Sequence, residues 1–177
     1  SIADKKSEEI ISIRLKGFLG INDILGEENA FLNKEFDKYI NNSMLWVVDP
    51  IDGTKNYING KKDFCSMISL VSFSVPIATF IYYPLKKTFV YAFKNFGAFL
   101  IDIDSNISTK LLIRPPKELK ILGSGGTKGI PEIYRESILK NLRTSTERLF
   151  IGSAGIETIM LAKNEIQFIF HGRVTPW

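Results

Sequence analysis

Cysteine is nearly absent: Cys65 stands alone in 177 residues. An intramolecular disulfide is excluded, and the composition fits a reducing compartment such as the cytoplasm. With Phe64 and Met67 close by, Cys65 reads as a core thiol. An apolar leader is also missing: the opening stretch SIADKKSEEI is charged, so secretion is not indicated. Nor do the basic residues gather into runs interleaved with stacking aromatics; 23 of them are interspersed with 19 acids, for a formal charge of +4. That balance suits an anionic small molecule and argues against a nucleic-acid partner. One long uncharged run, Cys65 to Leu85, could in principle span a bilayer. Ser66, Ser69, Ser72, Ser74 and Pro76 interrupt it, and β-branched and aromatic residues dominate the rest. It therefore reads as two core strands, about Phe64 to Phe73 and Ile77 to Tyr83, and not as a membrane helix.

What is present is a globular composition, 45% hydrophobic and 24% charged, sufficient for one sizeable core. The spacing predicts a helix over Asp4 to Leu19, with Asp4 as cap, Glu8 and Glu9 in the early turns, and a stripe of Ile10, Ile11, Leu15 and Phe18 or Leu19. A short strand at Asp23 to Leu25 ends at Gly26. A polar connection follows from Glu27 to Ser43, in which Phe31, Phe36 and Tyr39 could pin the chain to the body. The strand Leu45 to Val48 comes next, and Thr88 to Phe93 with Ala98 to Ile103 reads as a hairpin. Arg114, Pro115 and Pro116 mark the best internal boundary. They divide an N-terminal α+β part, 1–113, from an α/β part, 114–177. In the second part, strands at Leu119 to Leu122, Leu149 to Ile151 and Ile166 to Phe170 alternate with helices at Pro131 to Asn141 and Ala154 to Lys163. The order of elements predicts a layered α/β protein.

The chemistry gathers at LWVVDPIDGTKNY, residues 45–57. Asp49 and Asp52 stand three apart at a strand end; Pro50 has no N–H, Ile51 can turn its carbonyl inward, and Gly53 lets the backbone bend close to a ligand. Such a turn can aim two carboxylates and a carbonyl at one point, a hard oxygen set suited to magnesium. An Asx-type turn with solvent-facing acids accounts for the same residues. Gly26, Glu27 and Glu28 end the preceding strand in the same manner, so adjacent strands could bring Glu27 beside Asp49, where carboxylates repel unless cations sit among them. A solvated acidic pair at a loop start is the plain alternative for Glu27 and Glu28. Further on, Ser153 is a candidate helix cap and Ala154 or Gly155 allows close backbone approach; a plain strand-to-helix turn accounts for the same Ile151 to Gly155 string.

WVVDPIDGTKNY preceded by GEE, with IADKKSEEI, GSAG and the final PW, resembles the inositol monophosphatase family over nearly the whole chain. The resemblance implies a layered α-β-α-β-α sandwich and magnesium-dependent, lithium-sensitive hydrolysis of small phosphate monoesters such as inositol phosphate. It includes bisphosphate nucleotidases among the alternatives. Glu27, Asp49, the Ile51 carbonyl and Asp52 are then expected as Mg²⁺ ligands, with Li⁺ as an inhibitor. Thr54 is expected to position or activate the attacking water, Asp4 matches a family acid near that threonine, and Gly53 and Thr54 would offer backbone N–H groups to the phosphate. Ser153 and Ala154 would border the substrate. His171 falls where many members carry an acid that contacts the substrate alcohol; local hydrogen bonding is the alternative, and Arg173 lies two residues on. Lys55 is either a substrate contact or a solvated side chain. Two metal ions about 3.5–4 Å apart can activate water and stabilise the leaving oxygen without a histidine base or cysteine nucleophile.

In the family, the tryptophan matching Trp177 is followed by a metal-ligating aspartate, and a further helix precedes the one matching residues 4–19. The chain is accordingly expected to be a fragment, incomplete at both ends, or a truncated homologue that only binds a phosphorylated ligand. A small phosphorylated metabolite is the expected partner, and a homodimer is an open option.

Overall fold

A computed structural model describes residues 1–33, 39, 42–115, 122–126, 130–143 and 147–172. In chain order the elements are α1 (Ile2–Leu15), β1 (Ile24–Gly26), α2 (Glu27–Asn33), β2 (Leu45–Asp52), α3 (Thr54–Ile58), β3 (Cys65–Ser72), β4 (Val75–Tyr83), β5 (Thr88–Phe93), β6 (Gly97–Asp102), β7 (Ile107–Leu111), β8 (Leu122–Gly126), α4 (Glu132–Arg143), β9 (Glu147–Leu149), α5 (Ala154–Ala162) and β10 (Phe168–His171). Strands β1 to β7 form one sheet in sequential order; β10, β8 and β9 form a second, parallel sheet. This is the layered α/β sandwich expected from the sequence.

Strand β2 is the keel of the large sheet. It pairs parallel with β1 and antiparallel with β3, and its near-continuous apolar run is what a strand covered on both faces requires. Trp46 packs with Ile21, Leu70 and Ala78 on one face, and Leu45 and Val47 pack with Leu25 and Ala30 on the other. Farther along the sheet, Ile156 and Ile159 of α5 close a third cluster with Cys65, Ile81, Tyr83 and Val90. Cys65 is thus the buried thiol expected. The β3–β4 reversal uses Phe73 and Ser74, both at positive φ, the conformation a two-residue hairpin turn demands. The uncharged run therefore lies in a β-hairpin, and no helix among the described residues is long and apolar enough to cross a membrane.

Several expectations are corrected. Helix α1 ends at Leu15, and Phe18–Gly20 is a separate 3-10 turn entered through Gly17 at φ 78°. Its cap is Ser1 and not Asp4, which sits inside the first turn. The expected stripe is buried only in part: Leu15 packs against the Trp46 cluster and Ile11 is half-buried, but Ile10 is 62% exposed, and the fully buried residues of α1 are Asp4 and Glu8. The Glu27 to Ser43 connection begins with α2, because Glu8 supplies that helix with an N-terminal cap. Tyr39 does pin the connection, against the Leu25 and Val47 cluster; Phe36 and the side chain of Phe31 lie outside the described residues. Strand β8 continues through Gly123, Gly125 and Gly126 instead of ending there, since β10 bonds along all three; residues 119–121 of the expected strand lie outside the described residues. Strand β9 lies two residues earlier than expected, β10 starts two residues later and ends one later, and β7 and α3 are additional to the expected elements.

Candidate functional site

The parallel register sets Gly26 opposite Val48, so Glu27, the first residue after β1, comes beside Asp49, which lies within β2 because that strand runs on past Val48 to Asp52. Beyond Asp49 the β2–β3 register slips: Asp49 pairs with Met67 and Asp52 with Cys65, leaving Pro50 and Ile51 as a bulge. A proline in a central strand is accommodated at such a bulge, where no N–H is owed to the ladder. Ser66 holds it by donating from Oγ to the Pro50 carbonyl at 2.7 Å. Gly53 follows at φ 87°, where a Cβ would approach the Asp63 carbonyl to 2.9 Å, and α3 starts at Thr54.

Asp49 is 7% exposed and its Oδ1 is buried without a hydrogen-bond partner. Burial, then the charges of Glu27 and Asp52, push its carboxyl up to about 9; the Glu27 side chain bonds to it, and the Ile51 N–H partly offsets the rise. Asp52 is oriented differently. Its Oδ2 accepts from Ser153 Oγ at 2.6 Å, from the Gly155 N–H at 2.7 Å and from Cys65 Sγ at 3.6 Å. Burial, then Asp52, push the Cys65 thiol upward, which keeps it a donor. The N-terminus of α5 thereby grips one oxygen of Asp52.

Thr54 Oγ1 lies 3.0 Å from both Asp4 Oδ1 and the Ile51 carbonyl. The hydroxyls of Thr54 and Ser1 both donate to the buried Asp4 carboxylate. Asp4, Thr54 and Ile51 are thus brought together, as are Glu27, Asp49 and Asp52. Ser153, 2% exposed, caps α5 by accepting from the Ile156 N–H at 3.3 Å, and Ala154 is the first residue of that helix. His171 ends β10 with Nε2 3.3 Å from the buried Glu157 Oε2, the local pairing that was one of its two readings. Lys55 is exposed. Arg173 and Trp177 lie outside the described residues.

Three contributors escaped the sequence reading. Glu8, 1% exposed, accepts from the Glu28 and Asn29 N–H groups at 2.7 and 3.1 Å and from Asn29 Nδ2 at 2.6 Å. Asn56 Nδ2 donates to the Asp63 and Ile151 carbonyls at 2.7 and 2.9 Å, tying α3 to the approach to α5. Ser66 fixes the bulge. Only Glu8 carried a signal, its position four residues after Asp4 on one helix face.

The donors suit a hard cation: carboxylates from Glu27, Asp49 and Asp52, a carbonyl from Ile51, and a buried Asp49 oxygen that lacks a partner. Among the described residues no three His, Cys, Asp or Glu side chains are already arranged for ligation. The Glu27 side chain bonds to Asp49, and two carboxylates this close repel unless a proton or a cation lies between them.

The sequence model described as the inositol monophosphatase family matches residues 1–177. A fructose-1,6-bisphosphatase/inositol-1-monophosphatase of Aquifex aeolicus is 26% identical over 184 residues, covering 100% of this chain and 64% of the relative. Inositol monophosphatase 2 of Saccharomyces cerevisiae is 34% identical over 183 residues, covering 98% and 61%. The chain thus spans less than two thirds of the length of these relatives. Among solved structures, an IMPase/NADP phosphatase complexed with NADP and Ca²⁺ superposes with a TM-score of 0.77 at 21% identity, covering 100% of this chain and 64% of that one.

Proposed function

Because the chain belongs to the inositol monophosphatase family, we propose that it carries the metal-binding half of a Mg²⁺-dependent phosphatase acting on a small phosphate monoester. The observation that carries this reading is the buried, partnerless Asp49 oxygen between Glu27 and Asp52, an arrangement of like charges that calls for a cation. Glu27, Asp49, Asp52 and the Ile51 carbonyl would hold Mg²⁺. When bound, a divalent cation supplies Lewis acidity at the phosphoryl oxygens and lowers the pKa of a coordinated water.

The protein's own groups account for the rest. If the Thr54 hydroxyl commits its hydrogen to the Asp4 carboxylate, its lone pairs are free to accept a hydrogen bond from, and so orient, the attacking water. Gly53 and Thr54, at the start of α3, would present N–H groups to the phosphate. Asp52, gripped on Oδ2, keeps Oδ1 for the cation. Ser153 serves by holding Asp52, while Ala154 and His171 would border the alcohol portion of the substrate.

Inositol phosphate is the first substrate to test; the NADP bound in a related structure supports nucleotide and sugar phosphates as the next. The experiment is phosphate release from a panel of monoesters by the complete reading frame, with Mg²⁺ or a chelator. Release should require Mg²⁺ and be inhibited by Li⁺, in the reducing cytoplasm that the composition favours. Metal-independent release, or a preference for phosphodiesters, would overturn the proposal.

A further inference from the structure

Helix α1 buries two side chains, and both are carboxylates. Asp4 and Glu8 are four residues apart and so share a face, but they reach different parts of the site. Asp4 accepts from Thr54 at the start of α3, while Glu8 accepts from the second and third residues of α2. In an ordinary helix those N–H groups are satisfied by the side chain of the N-cap residue. Here that place belongs to Gly26, which has no side chain, and the reason is visible: a Cβ on Gly26 would lie 2.2 Å from the Glu8 Cδ and 2.4 and 2.6 Å from its oxygens. The glycine makes room for a cap delivered from another helix.

We propose that Glu8 is a positioning residue for the cation site: by capping α2 it fixes Glu27, the first residue of that helix, against Asp49, and α1 thereby spaces Glu27 from the Asp4–Thr54 pair. The proposal rests on the reading of Glu27 and Asp49 as cation ligands. Glutamine at position 8 keeps the shape but offers one acceptor oxygen where the carboxylate offers two, and its amide would face a backbone donor. Loss of a residue that orients a metal ligand typically weakens affinity about 10- to 100-fold. Alanine at position 26 should produce a similar loss with Glu8 intact, by pushing its carboxylate off α2.

Calorimetric Mg²⁺ titration of the chain, Asp49→Asn, Glu8→Gln, Gly26→Ala and the exposed control Glu9→Gln tests this, with circular dichroism and urea midpoints recorded for each in chelator. The expected result is an at least tenfold weaker Mg²⁺ affinity in folded Glu8→Gln and Gly26→Ala, with Glu9→Gln unchanged. In the complete reading frame, the Mg²⁺ concentration for half-activation should rise similarly while the KM for substrate at saturating Mg²⁺ holds. Native affinity in folded Glu8→Gln would overturn the positioning role and leave the cation site standing. Equal binding by the native chain and Asp49→Asn, or none by either, would overturn the cation site itself. Should Glu8→Gln fail to fold, Gly26→Ala decides; failure of both to fold makes Glu8 a stability residue and overturns the proposal.

Discussion

Replacing Asp49 by asparagine should flatten the pH dependence of folding stability in metal-free buffer. The Asp49 carboxyl is raised from 3.8 to about 9, first by burial and then by Glu27 and Asp52. Its folded value lies above its unfolded one, so between the two the folded chain holds a proton that the unfolded chain has released. The stability that this proton confers is complete below about pH 4 and is lost as the pH climbs toward about 9. While Asp49 stays protonated in the fold and ionised outside it, the slope is about 1.4 kcal/mol per pH unit. From about pH 5 to about pH 7 its share of the loss is therefore about 3 kcal/mol, a large part of the roughly 5–15 kcal/mol that holds a domain together. Asparagine has nearly the same volume and no ionisable proton. Urea unfolding in chelator across this range should give a native curve that falls by about 3 kcal/mol relative to the variant. Adding Mg²⁺ should remove the excess slope from the native chain alone. Parallel curves for the two proteins would refute the reasoning, because Asp49 would then ionise alike in both states.

Ser153→Ala removes both a donor to Asp52 and the α5 cap; urea midpoints should report a loss of about 2–3 kcal/mol, with weakened Mg²⁺ binding by calorimetry. Asn56→Ala strands the Asp63 and Ile151 carbonyls and should cost about 2–4 kcal/mol in the same unfolding assay. Gly53→Ala forces a side chain to φ 87° and against the Asp63 carbonyl; a loss of about 1–3 kcal/mol should accompany reduced phosphate release in the complete reading frame.

The two strands and their acids were legible because short apolar runs locate β1 and β2 and the acids follow each run directly, although β2 continues through its acids to Asp52. Placing Glu27 beside Asp49 needed only the assumption that the two strands are neighbours. Less legible was which groups point inward on α1. Hydropathy assigns Ile10 to the core and Glu8 to water, yet Glu8 is buried because three donors on α2 satisfy it. Such long-range satisfaction leaves no periodic trace. The short α3 and the Asn56 bridge were hidden for the same reason, since five residues carry too little pattern to distinguish a helical turn from a loop. Strand β7 reads as polar because it is an edge strand, with four of its five residues exposed.

The bonds that grip Asp52 and Asn56 join residues 101 and 95 positions apart, so the pocket is a late event in the life of the molecule. Closing loops of that length is slow, and their contacts stabilise the fold only after the sheet beneath has formed. In reverse, α5 can lift from the sheet without breaking a single β1–β7 ladder bond, and Asp52 then loses its Ser153 and Gly155 donors and is left with the weaker Cys65 Sγ. Amide exchange at Gly155 and Ile156 should therefore outpace exchange in β2 and β3, with the chain losing its capacity to bind long before it loses its shape.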